Sequence, residues 1–285
     1  MRAVRCDFKA FRAVHCLLAT PPAPFAFFFF SFSSAAMSTP FLNLACYQFV
    51  PLPDAAALCE VLQARASAAG LLGTILLAEE GINFFLTGPA DALRGFFAQL
   101  RGSDPRFADL RAKESWSDAP PFRKLRVKVK REIIRMDHPA IAPAQGRAPA
   151  VDAATLHRWL AQGHDDTGRP VVTLDTRNAF EADAGSFDHA IDWRIDKFTQ
   201  FPDALRERRA ELQDKTVVSF CTGGIRCEKA ALLMQEEGLE HVYQLDGGIL
   251  AYFEQTDGAH YHGGCFVFDA RRVLASDLSV QPAPV

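Results

Sequence analysis

The spacing of apolar positions changes along the chain, and each change predicts an element. Residues 41–50 (FLNLACYQFV) read as a strand. Pro53-Asp54 then opens an Ala-rich helical stretch to about Ala69, with Asp54 as its N-cap and Gly70 closing it. Thr74 to Ala78 is a short apolar strand that runs into Glu79-Glu80-Gly81-Ile82-Asn83, Phe84 to Thr87 continues as another strand, and Pro89-Ala90-Asp91 starts a second helix through Leu100. Lys124-Leu-Arg-Val-Lys-Val-Lys130 alternates cation and apolar residue without a fault, the pattern of a half-buried strand. Together these predict a β-α-β-β-α-β order and a compact ferredoxin-like α+β domain over residues 41–138, with the cationic strand completing it. Residues 139–149 (PAIAPAQGRAP), with three prolines and no periodicity, read as a linker.

From Val151 the pattern alternates helix and continuous apolar strand, which predicts an α/β domain with a parallel sheet over residues 150–256 and a tail over 257–285. Thr155 to Gln162 is helical, Val171 to Leu174 is a buried strand ending in Asp175-Thr-Arg177, and residues 203–213 form an amphipathic helix. Thr216 to Phe220 is a strand apolar on both faces, Glu228 to Glu237 a helix ended by Gly238, and Val242 to Leu245 a strand leading to Asp246-Gly-Gly248.

The totals narrow the function classes. A chain of 285 residues holds two ordinary domains, and 49% hydrophobic with 23% charged residues is a globular balance. The formal charge of -3 supplies no global attraction to nucleic acid, so any such binding must use a local patch. Seven cysteines in no scaffold or zinc-ribbon spacing fit a reducing, cytoplasmic setting, and the absence of an apolar run of membrane-spanning length argues against a membrane partner. Residues 1–36 stand apart. Their basic start, the Phe25–Phe32 run and Ser34-Ala35-Ala36 imitate a secretory signal, yet Pro21, Pro22 and Pro24 interrupt it and Met37-Ser-Thr-Pro reads as an ordinary start. They are expected to be an extension outside the fold.

The chemistry concentrates in Cys221-Thr-Gly-Gly-Ile-Arg226. In a parallel α/β sheet ligands bind beyond the carboxyl ends of the strands, where Cys221 follows Thr216 to Phe220. Gly223 and Gly224 let the loop curl so that successive N–H groups point inward, and the next helix adds its positive end. A thiol over such a nest, with Arg226 nearby, should ionise below the free value of about 8.5 and act as a nucleophile. The bland alternative is an inert cysteine at a strand end. Cys227 could resolve an oxidised Cys221 or simply pack between helix and sheet. His260, His262 and Cys265 could supply three metal ligands, but so tight a cluster is more often a surface turn, and no metal is expected.

Asp175-Thr-Arg177, the Cys221-Thr222-Gly223-Gly224-Ile225-Arg226 loop and Leu245-Asp-Gly-Gly-Ile249 resemble the landmarks of the rhodanese superfamily. Related cysteine phosphatases carry five residues between Cys and Arg, so the four here favour sulfur or another small group. Ala78-Glu-Glu-Gly-Ile-Asn83, Lys113-Glu-Ser115, Lys124 to Arg131, and Cys221 to Lys229 (CTGGIRCEK) together resemble the bacterial tRNA uridine-34 hydroxylases. That resemblance implies conversion of the anticodon wobble uridine to 5-hydroxyuridine with molecular oxygen as co-substrate, an essential cysteine at Cys221, and tRNA as partner. It implies no bound cofactor, no membrane or protein partner, and no particular electron donor. Many members carry a cysteine-rich C-terminal segment, whereas only Cys265 lies near Phe266 here, so a metal-binding tail is not expected.

Read against that resemblance, Lys124, Arg126, Lys128 and Lys130 would project from one strand face at intervals of about 6.8 Å, a ladder able to follow phosphates. Phe122, Arg123 and Arg131 extend it, and Lys113 with Trp116 could add charge and stacking. The alternative is a face whose cations block edge-to-edge pairing. A persulfide sulfurtransferase working through Cys221 and a non-catalytic tRNA-binding module remain the rival functions.

Overall fold

The computed structural model describes residues 40–281. The extension at residues 1–36 lies outside the described residues. The first half comprises β1 (Phe41–Phe49), α1 (Ala55–Ala68), β2 (Leu72–Ala78), β3 (Gly81–Gly88), α2 (Ala90–Ser103), β4 (Ala112–Ser117) and β5 (Leu125–Val129). They form one sheet in the order β4-β1-β3-β2-β5. The first four strands, antiparallel to one another where they pair, are the ferredoxin-like arrangement.

The cationic strand has a different place from the one its sequence predicts. The fourth strand of the motif is β4, an edge strand with no buried residue, whose sequence AKESWS carries no apolar alternation. The cationic β5 is a fifth strand, added parallel to β2 at the opposite edge. Asp54 also departs from expectation. It stands at the N-cap of α1, but its side chain caps nothing, because its carboxylate is paired with Arg106.

Alternation along the strands separates the two faces of this sheet. Leu42, Leu44, Cys46, Ile75, Leu77, Ile82, Phe84 and Leu86 pack with Leu62 and Ala66 of α1 and Leu93, Phe96 and Leu100 of α2. Both helices therefore cover one face. Cross-strand partners share a face, so the other face carries Tyr47 with Asn83, Ala45 with Phe85 and Lys113, Thr74 with Arg126, and Leu76 with Lys128.

The second half contains β6 (Ala150–Val151), α3 (Ala153–Gln162), β7 (Val171–Asp175), α4 (Ala179–Ala182), β8 (Gly185–Phe187), β9 (Ile191–Asp192), α5 (Phe201–Arg208), β10 (Thr216–Phe220), α6 (Ile225–Glu236), β11 (Val242–Leu245) and α7 (Gly248–Thr256). A parallel sheet in the order β6-β11-β10-β7-β9 has β10 at its centre, with all five residues of that strand buried. Val217 joins a core with Leu205, Ala230 and Met234 on one face, and Val218 and Phe220 join Leu156, Ile249 and Tyr252 on the other. The predicted helix over 203–213 is two pieces, α5 and a 3-10 turn over Arg209–Leu212. Beyond α7 the chain adds β12 (Tyr261–Gly263), which pairs with β8, and β13 (Cys265–Phe266), which pairs with β14 (Val273–Leu274).

Between the two sheets the chain is packed tightly. Met136, Ile141 and Ala148 sit in the core of the second half. Lys229 of α6 reaches back to Glu80 at 2.8 Å and Glu132 at 2.6 Å and donates to the Ile134 carbonyl at 3.0 Å, with its side chain 2% exposed. Glu80 also accepts from the Ile133 N–H at 2.7 Å, and Asn83 Nδ2 donates to the Ile133 carbonyl. Removing this buried ammonium strands two carboxylates, which costs about 3 kcal/mol. Lys229→Met should therefore lower the unfolding free energy by that amount, seen as a lower urea midpoint when ellipticity is followed against denaturant. An unchanged midpoint would contradict the latch.

Candidate active site

The reactive loop owes its shape to what surrounds it. β10 ends at Phe220, Cys221 follows at the carboxyl end of the sheet, and α6 begins four residues later at Ile225. Gly224 has φ +99°, and a Cβ there would lie 2.8 Å from the Tyr47 hydroxyl. Only glycine meets both demands. Gly223 needs no such freedom, since a Cβ there would meet nothing within 4 Å. The Gly224 N–H donates to Cys221 Sγ at 3.1 Å.

Burial pushes the Cys221 thiol up, but donation from the Cys227 thiol, the charge of Arg226 and the N–H groups of Arg226 and Gly224 outweigh it. Together they bring the pKa down from 9.0 to about 6. Cys227 moves the other way: burial and the adjacent Cys221 hold it well above an ordinary thiol. Ionisation of the pair therefore favours Cys221 over Cys227. Cys227 is fully buried, with its sulfur 3.6 Å from Thr176 Oγ1 between helix and sheet.

Arg226 does not present a free fork. Its Nη1 and Nη2 donate to the Glu181 carboxylate at 2.6 and 2.8 Å, in a pair 6% and 0% exposed. It acts on the loop as charge, and its Nε has no partner among the described residues. Asp175 and Arg177 lie further back as a fully buried pair at 2.6 Å. Arg177 also donates to the Gly185 and Glu181 carbonyls and stacks on Phe220. Their effect on Cys221 is indirect: they fix α4, which carries Glu181.

Residues from the first half complete the site. A cleft of about 1090 Å³ is lined by Cys221, Thr222, Gly223, Ile225 and Arg226, by Tyr47, Phe85 and Lys113 from the open face of the first sheet, and by Phe268 and Arg271 from the C-terminal segment. Tyr47 donates to Glu228 at 3.2 Å, and Glu228 accepts from Arg147 at 2.8 Å and Gln244 at 3.0 Å. Lys113 pairs with Glu254 at 2.6 Å. Glu228 and Lys229, on the first turns of α6, join the two halves. Glu80 does the same through Lys229, and Asn83 holds the Ile133 carbonyl.

Lys124, Arg126, Lys128, Lys130 and Arg131 are exposed, and the register puts Arg126 and Lys128 on the same sheet face as Tyr47 and Lys113. They stand at the far edge, outside the cleft lining. Trp116 pairs with Leu42 and so faces the helices, where Arg94 covers its ring, which removes it from the stacking role its sequence position offered. The candidate metal ligands diverge: Cys265 is buried, His262 faces Asp188 at 3.3 Å, and His260 packs against His157. Tyr47, Glu181, Arg147 and Phe268 carry no sequence signal, because each reaches the site from a distant element.

A central parallel strand delivering a cysteine loop to a helix start defines a rhodanese-like domain, and the family model for that domain matches residues 153–255. A second model, the UPF0176 acylphosphatase like domain, matches residues 41–133. A protein of Delftia acidovorans named tRNA uridine(34) hydroxylase is 71% identical over 241 residues, covering 85% of this chain and 91% of its own. Those of Variovorax paradoxus and Bordetella avium with the same name are 68% and 65% identical, covering 85% of this chain and 92% and 98% of theirs. The chain belongs to the tRNA uridine(34) hydroxylase family. No helix among the described residues is long and apolar enough to cross a membrane.

Three outcomes follow from the loop. A thiol whose pKa is lowered by folding stays ionised above about pH 6 and is protonated as pH falls through that value. Ultraviolet thiolate absorbance, taken as wild type minus Cys221→Ser, should titrate there. In Arg226→Gln with Glu181→Gln, which strands neither charge, the midpoint should rise by about one unit or more. Gly223→Ala should keep the wild-type midpoint and stability, whereas Gly224→Ala should lose thermal stability through its positive φ and the clash with Tyr47.

Proposed function

We propose that this protein hydroxylates C5 of the wobble uridine, position 34, in the anticodon region of tRNA, with Cys221 as nucleophile and molecular oxygen as co-substrate. The observation that carries this reading is the composite cleft. A thiolate lies in one wall, and the other wall is the open face of a sheet whose far edge bears a cation ladder. A phosphatase or a simple sulfurtransferase needs no such second wall.

C5 of uracil is too electron-poor to meet oxygen unaided. Addition of the Cys221 thiolate at C6 converts the ring to an enolate with carbanion character at C5. The N–H groups of the Thr222–Ile225 loop and the charge of Arg226 stabilise the oxyanion at O4. One oxygen atom of O2 is placed on C5, and the other leaves as water with two electrons and two protons from an external donor. Loss of the C5 proton then expels the thiolate and restores the double bond. No bound cofactor takes part, and neither a protein nor a membrane partner is required. A tRNA substrate places the reaction in the cytoplasm. To reach Cys221 the uridine leaves the anticodon stack, while Lys124, Arg126, Lys128, Lys130 and Arg131 hold the backbone.

Nucleoside mass spectrometry of tRNA incubated with protein, reductant and oxygen tests the reaction. Wild type should yield 5-hydroxyuridine and Cys221→Ser none; undiminished product from the variant would refute the nucleophile. Efficient thiocyanate formation from thiosulfate and cyanide, without modified nucleoside, would favour the sulfurtransferase. Arg126→Gln with Lys128→Gln should weaken tRNA binding and reduce its logarithmic salt slope by about 0.7 per cation removed.

A further inference from the structure

Three phenylalanines from two separate stretches meet at the rim of the cleft. Phe180 lies on α4, Phe266 in β13, and Phe268 just beyond it. Phe268 packs edge to face with Phe266, centroids 5.3 Å apart at 81°, and with Phe180 at 6.3 Å and 89°. Phe180 and Phe266 meet at 5.2 Å and 87°. Such T-shaped contacts hold the three rings at near right angles to one another. Phe268 is 53% exposed and Phe180 49%, whereas Phe187, Phe198, Phe201, Phe220 and Phe253 of the same half are all buried.

The segment that carries Phe268 is held at both ends. Thr222 of the reactive loop donates to the Phe266 carbonyl at 3.2 Å. Arg271 pairs with the Asp269 carboxylate at 2.6 Å and donates to Ser115 Oγ of β4 at 2.7 Å. Phe268 lines the cleft that contains Cys221, and it also borders a second, more open depression with Ala270 and Arg272. An exposed aromatic ring between two hollows, one of which holds the nucleophile, has the form of a wedge.

A uridine swung out to Cys221 leaves a neighbouring base with one π-face uncovered, at a cost of a few kcal/mol. We propose that Phe268 takes the place of that uridine in the anticodon stack, its ring against the base adjoining the target and braced by Phe180 and Phe266. This deepens the hydroxylase reading and rests on it. Every base has a π-face, so the contact tolerates any neighbour. Exposed cations at the rim, Lys197 on the cleft and Arg272 on the outer depression, fit a nucleic-acid strand better than an apolar peptide.

The test uses the full chain and anticodon stem-loop RNAs with 2-aminopurine on either side of the target uridine. Binding to wild type should change the fluorescence of one of the two probes. Phe268→Ala should abolish that change and weaken binding about 5- to 150-fold, the effect of losing one base–aromatic stack. Phe268→Trp should retain both, and Phe268→Leu should resemble alanine. The Cys221 thiolate titration should be the same in all of them. Phe268→Leu matching wild type would reduce the ring to an apolar cover and overturn the wedge, as would full affinity in Phe268→Ala. A wild type that binds and changes the probe but forms no 5-hydroxyuridine would overturn the reaction and leave the wedge standing.

Discussion

The active site exists because one ammonium group is buried between two sheets. Lys229 lies on the first turns of the helix that the reactive loop opens, and its partners Glu80 and Glu132 belong to the other half of the chain. A buried cation with two carboxylates and a carbonyl tolerates little displacement, since losing either side leaves an uncompensated charge. The contact therefore fixes the spacing between the Cys221 loop and the open face of the ferredoxin-like sheet. Tyr47 on Glu228 and Lys113 on Glu254 follow from that spacing, and so does the cleft.

Inside this frame the thiolate is made by relayed constraints. Arg177 with Asp175 holds the chain around α4, α4 presents Glu181, and Glu181 occupies the Arg226 fork. The guanidinium is thereby locked beside the loop and contributes charge, while the N–H groups supply direction. A neutralised, immobile arginine binds a free anion less strongly than an open fork would. That fits the proposed covalent addition to a ring better than the capture of a phosphate.

The surface outside the cleft carries the groups that the proposed function assigns to RNA. The cation ladder on β5 is a long way across the sheet from Cys221 but shares the sheet face that lines the cleft, so a strand can run from one to the other without turning an edge. The C-terminal segment adds aromatic surface at the rim and ties the reactive loop to β4 through Arg271 and Ser115.

The cysteine loop was legible from sequence because its determinants are local: a doubly buried strand, a glycine at positive φ and a helix start fall within a dozen residues. The ferredoxin-like motif was legible for the same reason, as its strands and helices announce themselves by periodicity. The misreadings were all of one kind. β4 hid because a strand polar on both faces has no period to detect, so the cationic β5 was credited with its place. Trp116 and Lys113 looked like neighbours, yet residues three apart on a strand face opposite ways. The roles of Glu80, Glu228 and Lys229, and the presence of Tyr47, Glu181 and Phe268 at the site, depend on elements far apart in the chain. Sequence by itself determined the place of the cysteine loop and the two folds around it. Only the tertiary structure decided which second wall the nucleophile faces, because burial and charge pairing between distant segments leave no mark on local pattern.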